Sequence, residues 1–334
     1  MTSLAATAQT DHAPQREAAQ SGSPWKMPLS AWKAIVVRTA KEGSADNLGL
    51  IAAGVAFYTF LALVPLLGAT VLTYGLLAEP KTVLGHMNSM MAMLPADVAK
   101  VIGEQLMNVV QTSGGKKGLG LLLALAIALF GARNAAGAII SALNIAYEEE
   151  EKRGFIKVTL LALAITATAV VVAVLGMLAA GALGFLHHLF PAANPVLLFL
   201  SKVLSYLVLA LFAAAAAATL YRYGPSRDKA RWVWLTPGSL LFAGAWVALT
   251  LGLGFYVANF GNYGATYGSL AAVVVLLTWI YLSSYALLFG AELNSELEHQ
   301  TARDTTAGPE RPLGERGAWA ADHVAAGSET RPEK

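Results

Sequence analysis

Arg133, Gly137, Ser141 and Asn144 advance by four, four and three residues, so a helix carries them on one face, with Asn134 beside them. The run Leu119–Phe130 just upstream is uninterrupted and apolar, which puts the guanidinium of Arg133 well inside it. In a bilayer such an arginine costs at least about 2.5 kcal/mol to insert, and such residues usually face a partner or a wet cavity. Its planar fork of donors suits a carboxylate or a phosphate. Three readings stay open: contact with an anionic solute, neutralisation of a carboxylate such as Glu292 or Asp46, or snorkelling to the headgroups. A second stripe, Thr278, Tyr281, Tyr285 and Glu292, falls within a narrow arc at about 100° per residue. Glu292 follows the apolar run, either as an acid for a proton or cation or as a carboxylate at headgroup level. A third stripe aligns Asn47, Gly54, Tyr58, Leu61 and Pro65. Pro65 lacks a backbone donor and crowds the Leu61 carbonyl, so a kink is expected there. Kinked helices suit a gated path, although inert bundles contain them too. The residues expected to line a substrate or ion path are therefore Tyr58, Pro65, Arg133, Asn134, Ser141, Asn144, Tyr281, Tyr285 and Glu292.

Other chemistries find little here. The absence of cysteine excludes disulfides, thiolate metal sites and cysteine nucleophiles. Hydrolytic nucleases generally hold metal ions with clustered carboxylates and histidines. His12, His86, His187, His188, His299 and His323 form no such cluster, and the acidic run Glu148–Glu151 reads as a solvated helix end. No phosphate-binding G-x-x-x-x-G-K-[ST] loop occurs, so ATP is not expected to drive transport directly. No basic, aromatic-lined surface offers to hold nucleic acid. The expectation is a non-enzymatic protein with no cofactor, no metal site and no nucleic-acid partner.

The elements that must hold these stripes are membrane helices. Of 334 residues 56% are apolar and 13% charged, where a soluble domain carries about 25% charged. Runs near the roughly 20 residues that cross a bilayer fall at Leu48–Leu72, Leu119–Leu143, Val158–Leu183, Val196–Leu220, Trp234–Val257 and Leu270–Leu293. The fold class is all-α and polytopic, with six spans. Residues 1–29 read as a disordered tail, 30–299 as the transmembrane domain and 300–334 as a disordered, charged tail. Ser30–Asn47 reads as an amphipathic helix on the membrane surface, with Trp32, Ile35, Val36 and Thr39 on one face. Met87–Val110 reads as a Met-rich outer hairpin turning at Pro95. Gly176, Ala180 and Gly184, and Gly244, Ala248 and Gly252, are small-residue ladders suited to close helix packing. Lys26, Lys33, Arg38 and Lys41, then Lys152, Arg153 and Lys157, then Arg222, Arg227, Lys229 and Arg231 mark alternate links. By the positive-inside rule this puts both termini in the cytoplasm. The lipid bilayer is the expected partner, with a homo-oligomer and a small-molecule or lipid substrate beside it.

Several separated segments resemble the YihY/virulence factor BrkB family. They are AAGVAFYTFLALVPLL (Ala52–Leu67), GARNAAGAIISALNIAYEEEEKRGFIK (Gly131–Lys157), YGPSR (Tyr223–Arg227), TPGSLLFAGAW (Thr236–Trp246) and the stretch Tyr267–Glu298. They follow in the family's order from about Trp32 to Glu298, and the charged tail after Gln300 is a departure. The resemblance implies a six-helix protein of the bacterial cytoplasmic (inner) membrane, often regarded as a transporter and in some relatives linked to serum resistance or envelope lipids. It also implies an old label, ribonuclease BN, that the residues do not support. The function expected is transport or export of a small anionic or lipid-linked solute, with an envelope-assembly scaffold as the alternative.

Overall fold

The computed structural model describes residues 20–75, 119–189, 195–260 and 271–325, with scattered positions between 82 and 104. The N-terminal part opens with a 3-10 turn, Pro24–Lys26, and helix α1, Leu29–Ala45. Six long helices follow: α2 Leu48–Gly75, α3 Leu119–Ala146, α4 Phe155–Leu189, α5 Pro195–Tyr223, α6 Trp232–Phe260 and α7 Ala271–His299. A short helix, α8 Trp319–Asp322, closes the described chain. All six long helices are long and apolar enough to cross a membrane. Among the described residues the only β pairing is an isolated bridge between Ala230 and Thr306. The protein is an all-α polytopic membrane protein, and its spans start and stop close to where the apolar runs do.

One core cluster lies mid-bundle, where Ala56, Ala69, Val170, Val174, Val275, Leu276 and Ile280 meet. A second joins α2, α3, α5, α6 and α7 through Leu48, Leu143, Tyr147, Tyr221, Leu235 and Leu288. It lies towards the end of the bundle where α1 and the C-terminal segment pack, called here the terminal face. Small residues let the helices close up there. A Cβ at Gly290 would lie 2.6 Å from both the Gly238 carbonyl oxygen and the Tyr221 hydroxyl, so α6 and α7 cross backbone to backbone. Pro237 cannot donate to the Val233 carbonyl, and the Thr236 hydroxyl does so instead at 2.8 Å. The next amide, Gly238 N–H, donates across to the Asn294 side-chain oxygen at 2.8 Å.

Four sequence expectations are corrected. The apolar face of α1 is Ala31, Ile35, Thr39 and Gly43, and Ile35 packs against Trp234, Leu293 and Leu297 rather than lying on lipid alone. Val36 is exposed. The segment from Gln300 to Ala325 is not disordered: charged side chains here serve as internal hydrogen-bonding groups for a compact strap. Asp304 accepts from Thr306 and Arg311, Arg316 donates to the carbonyls of Ala302, Arg303 and Ala321, and Asp322 accepts from Gly314, Arg316 and Gly317. Residues 20–29 are likewise docked, with Met27 buried and the Ser21 carbonyl accepting from Thr301. The ladder Gly244, Ala248 and Gly252 does not pack inside the chain; Gly244 and Gly252, like Gly176, have nothing within 4 Å of an added Cβ. The hairpin turn at Pro95 lies outside the described residues, although Met91 and Ile102 are within them and join the mid-bundle core.

Candidate functional site

The terminal face is held by groups that a membrane core would not tolerate singly. Arg227, from the link between α5 and α6, grips Glu298 of α7 with two bonds of 3.1 and 2.6 Å, and both side chains are almost wholly buried. The Thr305 hydroxyl of the strap adds a third bond to Glu298 at 2.6 Å, and the guanidinium lies 5.1 Å from the Tyr147 ring centre. Burial alone would weaken the protonated form of Arg227, but the Glu298 carboxylate more than reverses this and holds it charged. Burial, then the charge of Glu298, pushes the Tyr147 phenol far above its usual range. Around this pair, Arg231 N–H donates to the Thr305 carbonyl, Ala307 N–H to Lys229 and Asp228 N–H to Gly317. The strap is thereby stitched to the α5–α6 link.

Asn144 ties two links together. Its side-chain oxygen accepts from Ser226 N–H at 2.7 Å, and its amide donates to Glu151 at 3.0 Å. Glu151 is held down to about 2 chiefly by hydrogen bonds from Arg153, over the opposing effect of burial. Beside Asn144 opens a cleft of about 960 Å³, lined by Asp46, Asn144, Glu148, Glu149, Glu150 and Lys152 from the bundle. Gly317, Trp319, Asp322 and His323 of the strap form its other wall. Glu149 accepts from the Trp319 amide at 2.7 Å, and burial pushes its carboxyl up. Two residues at this cleft have left-handed backbone: Asn47, φ 53°, separates α1 from α2, and Glu148, φ 57°, stops α3. Glu292 of α7 is 3% exposed.

The path residues expected from the sequence divide into groups. Asn144 lines the acidic cleft, and Glu292 is buried on α7. Arg133 does not line the cleft: it is half-buried, lies 4.5 Å from the Phe130 ring centre, and makes no ion pair with a described residue. Pro65 packs on α3, where a Cβ at Gly131 would lie 3.2 Å from it, and α2 runs on helically past it. Tyr281 sits between the two main clusters, its hydroxyl 3.4 Å from where a Gly49 Cβ would be. Tyr58, Asn134 and Ser141 are exposed on the outside of α2 and α3, and the Ser141 hydroxyl donates to its own helix at Gly137. Asn47 is not on the α2 stripe, because it lies outside the helix. Tyr285 faces out on the far side of α7, stacked with Phe289.

Tyr285 borders a groove that the sequence did not reveal. Above their glycine crossing, α6 and α7 part to leave about 620 Å³ between Leu241, Ala245, Ala248, Gly252 and Tyr256 on one side and Leu282, Tyr285 and Phe289 on the other. A second apolar space of about 340 Å³, lined by Trp25, Trp32, Val36, Pro237 and Leu293, shares Leu241 and Phe289 with it. From Pro237 to Tyr256 the combined groove follows α6 for about 28 Å, close to the roughly 30 Å of a hydrocarbon core. Trp25 and Trp32 line its end at the terminal face, and each is followed in sequence by an exposed lysine, Lys26 and Lys33. The ladder of small residues on α6 marked this face, but as packing surface rather than as groove.

Fold and site together define a polytopic helical membrane protein whose C-terminal strap and α3–α4 link build an acidic cleft at one end of the bundle. The chain belongs to the virulence factor BrkB family, whose model matches residues 39–314. It is 30% identical over 263 residues, 78% of this chain and 91% of the relative, to the ribonuclease-like protein YfkH of Bacillus subtilis (strain 168). Shorter matches reach a UPF0761 membrane protein of Alkalilimnicola ehrlichii, 44% identical over 22% of this chain and 17% of the relative. Another such protein, from Tolumonas auensis, is 36% identical over 23% of this chain and 26% of the relative. No solved structure matches.

Proposed function

We propose that the protein is a transporter of the bacterial inner membrane that moves a lipid-linked anionic solute, without ATP as direct driver and with its terminal face in the cytoplasm. The observation that carries this reading is the apolar groove between α6 and α7, long enough to hold an acyl chain through the bilayer. Trp25 and Trp32 in its lining suit the interface, and the exposed Lys26 and Lys33 next to them in sequence suit an anionic headgroup. A free small anion is the weaker variant, because its support is Arg133 alone, which packs on Phe130 away from the acidic cleft.

A non-enzymatic role is part of the proposal. The ribonuclease-like name belongs to the Bacillus subtilis relative. Among the described residues no group of three or more metal-ligating side chains gathers, and His299 and His323 flank Trp319 as ring contacts. The scaffold reading has an observation of its own, the open ladder at Gly244 and Gly252 that another helix could fill.

Translocation of fluorescently tagged phosphatidylglycerol in proteoliposomes tests the transporter reading. Quenching from outside should reach more than the outer leaflet, without ATP, only when the protein is present. Vesicles with protein that quench like empty ones would leave the scaffold reading in place.

A further inference from the structure

The link between α5 and α6 carries cations that the folded chain leaves without acids. Tyr223 is the last residue of α5 and Trp232 the first of α6, so both rings stand where two spans leave the membrane. They are 38% and 48% exposed, with ring centres 6.4 Å apart and planes at 68°. The Arg222 guanidinium lies 4.7 Å from the Trp232 ring centre and 5.8 Å from that of Tyr223. Nζ of Lys229, an exposed residue, comes within 5.0 Å of the same Tyr223 ring. Ring faces attract cations but cancel none of their charge. Acids close to the link are taken: Asp228 by Arg311 at 2.7 Å, Glu298 by Arg227 and Glu151 by Arg153. Arg222, Lys229 and Arg231 make no ion pair with a described residue. Arg222 gives Nη1 to the Ala230 carbonyl and Arg231 gives Nε to the Thr306 carbonyl, which leaves most of each five-donor fork over.

We propose that this link binds a resident anionic phospholipid, its phosphate among Arg222, Lys229 and Arg231 and its acyl chain along the outer face of α5. The guanidinium fork suits a phosphate, and Tyr223 and Trp232 suit headgroup level. The same face of α5 is shaped for hydrocarbon. Leu211 and Leu204 lie three and five helical turns before Arg222, hence under it, and both are exposed. A cation heading an exposed apolar stripe matches a lipid; a free phosphate has no use for the stripe. None of these residues lines the groove between α6 and α7, so the site is separate from that path and does not rest on the transporter reading. A phosphate here neutralises two cations gathered on one ring and braces the link that carries Arg227 to Glu298.

The test is thermal unfolding of the full chain in neutral detergent, titrated with phosphatidylglycerol, phosphatidylcholine or inorganic phosphate at constant ionic strength. Phosphatidylglycerol should raise the wild-type midpoint, and the other two should not. The Lys229 side chain makes a ring contact and no hydrogen bond to a described residue, so Lys229→Gln should fold. It should raise the half-effect mole fraction of phosphatidylglycerol about fivefold, the worth of one basic residue near an anionic surface. Arg222→Gln should raise it at least as far; should that variant fail to fold, Lys229→Gln carries the test alone. Lys41→Gln removes an exposed charge from α1 and should leave the half-effect mole fraction unchanged. Any phosphatidylglycerol held between α6 and α7 is common to these proteins, so their differences isolate the link. No shift for Lys229→Gln, or an equal shift for Lys41→Gln, would overturn the proposal. An equal rise with phosphatidylcholine or with inorganic phosphate would overturn the anionic lipid as occupant. A specific shift at Lys229 with no lipid translocation in proteoliposomes would sink the transporter reading and leave this site standing.

Discussion

At the scale of the residue, the acidic run after α3 proves to be structural rather than merely solvated. Glu151 is held by Arg153 and Asn144, and its carboxyl is depressed from 4.5 to about 2. A depressed acid stabilises the fold above its unfolded value and loses that contribution as pH falls towards its folded value. The wild type should therefore lose stability over the interval from 4.5 down to about 2, and Glu151→Gln should lose less there while being weaker at neutral pH. Unfolding curves of the two proteins against pH check this. Arg133 gives a different expectation. With Phe130 beneath it and no carboxylate paired to it among the described residues, Arg133→Gln should fold without a second-site change and be at least as stable as wild type. Destabilisation rescued by loss of Asp46 or Glu292 would show an ion pair after all. The sequence made Arg133 conspicuous because a charge inside an apolar run stands out. Arg227 and Glu298, the buried pair, lay in a basic link and a charged helix end, where charge is ordinary. Only their distance in space, across 71 positions of sequence, makes them a pair.

At the scale of the element, the six spans were legible because lipid demands long apolar helices whatever they pack against. How those helices pack was less so, since α2, α4, α5 and α6 are apolar nearly all round and their sequences mark no inner face. The decisive contact is the crossing of α6 and α7. Gly290, Asn294 and Glu298 recur every four residues along one face of α7; the first admits the Gly238 backbone, the second caps it, and the third receives Arg227. A methyl at Gly238 would collide with the Gly290 carbonyl, and the neighbour is backbone that cannot turn aside. Gly238→Ala should cost about 1–3 kcal/mol or more, against near neutrality for Gly244→Ala, whose added carbon meets open space. Thermal unfolding midpoints of the two variants make the comparison. The strap after Gln300 was misread for a related reason. Its composition is that of a disordered tail, but Asp304, Arg316 and Asp322 spend their charges on its own backbone, a use that composition does not record.

At the scale of the whole molecule, the two ends of the chain meet at one face, where Thr301 reaches Ser21 and Arg38 reaches Glu296 and Gln300. That face should be cytoplasmic, and the cysteine-free chain allows a clean check. A membrane-impermeant maleimide should label Asn259→Cys, near the opposite end of α6, in intact cells, and Lys229→Cys only after permeabilisation. The reverse pattern would invert the orientation. The central claim, that an acyl chain occupies the groove between α6 and α7 while its solute crosses, has a more direct test. Ala248→Trp fills the groove from a position that lines it, facing lipid rather than the bundle core. In proteoliposomes carrying tagged phosphatidylglycerol, with a thermal midpoint matching wild type, this variant should translocate lipid no faster than empty vesicles do. Translocation by Ala248→Trp at the wild-type rate would contradict the account.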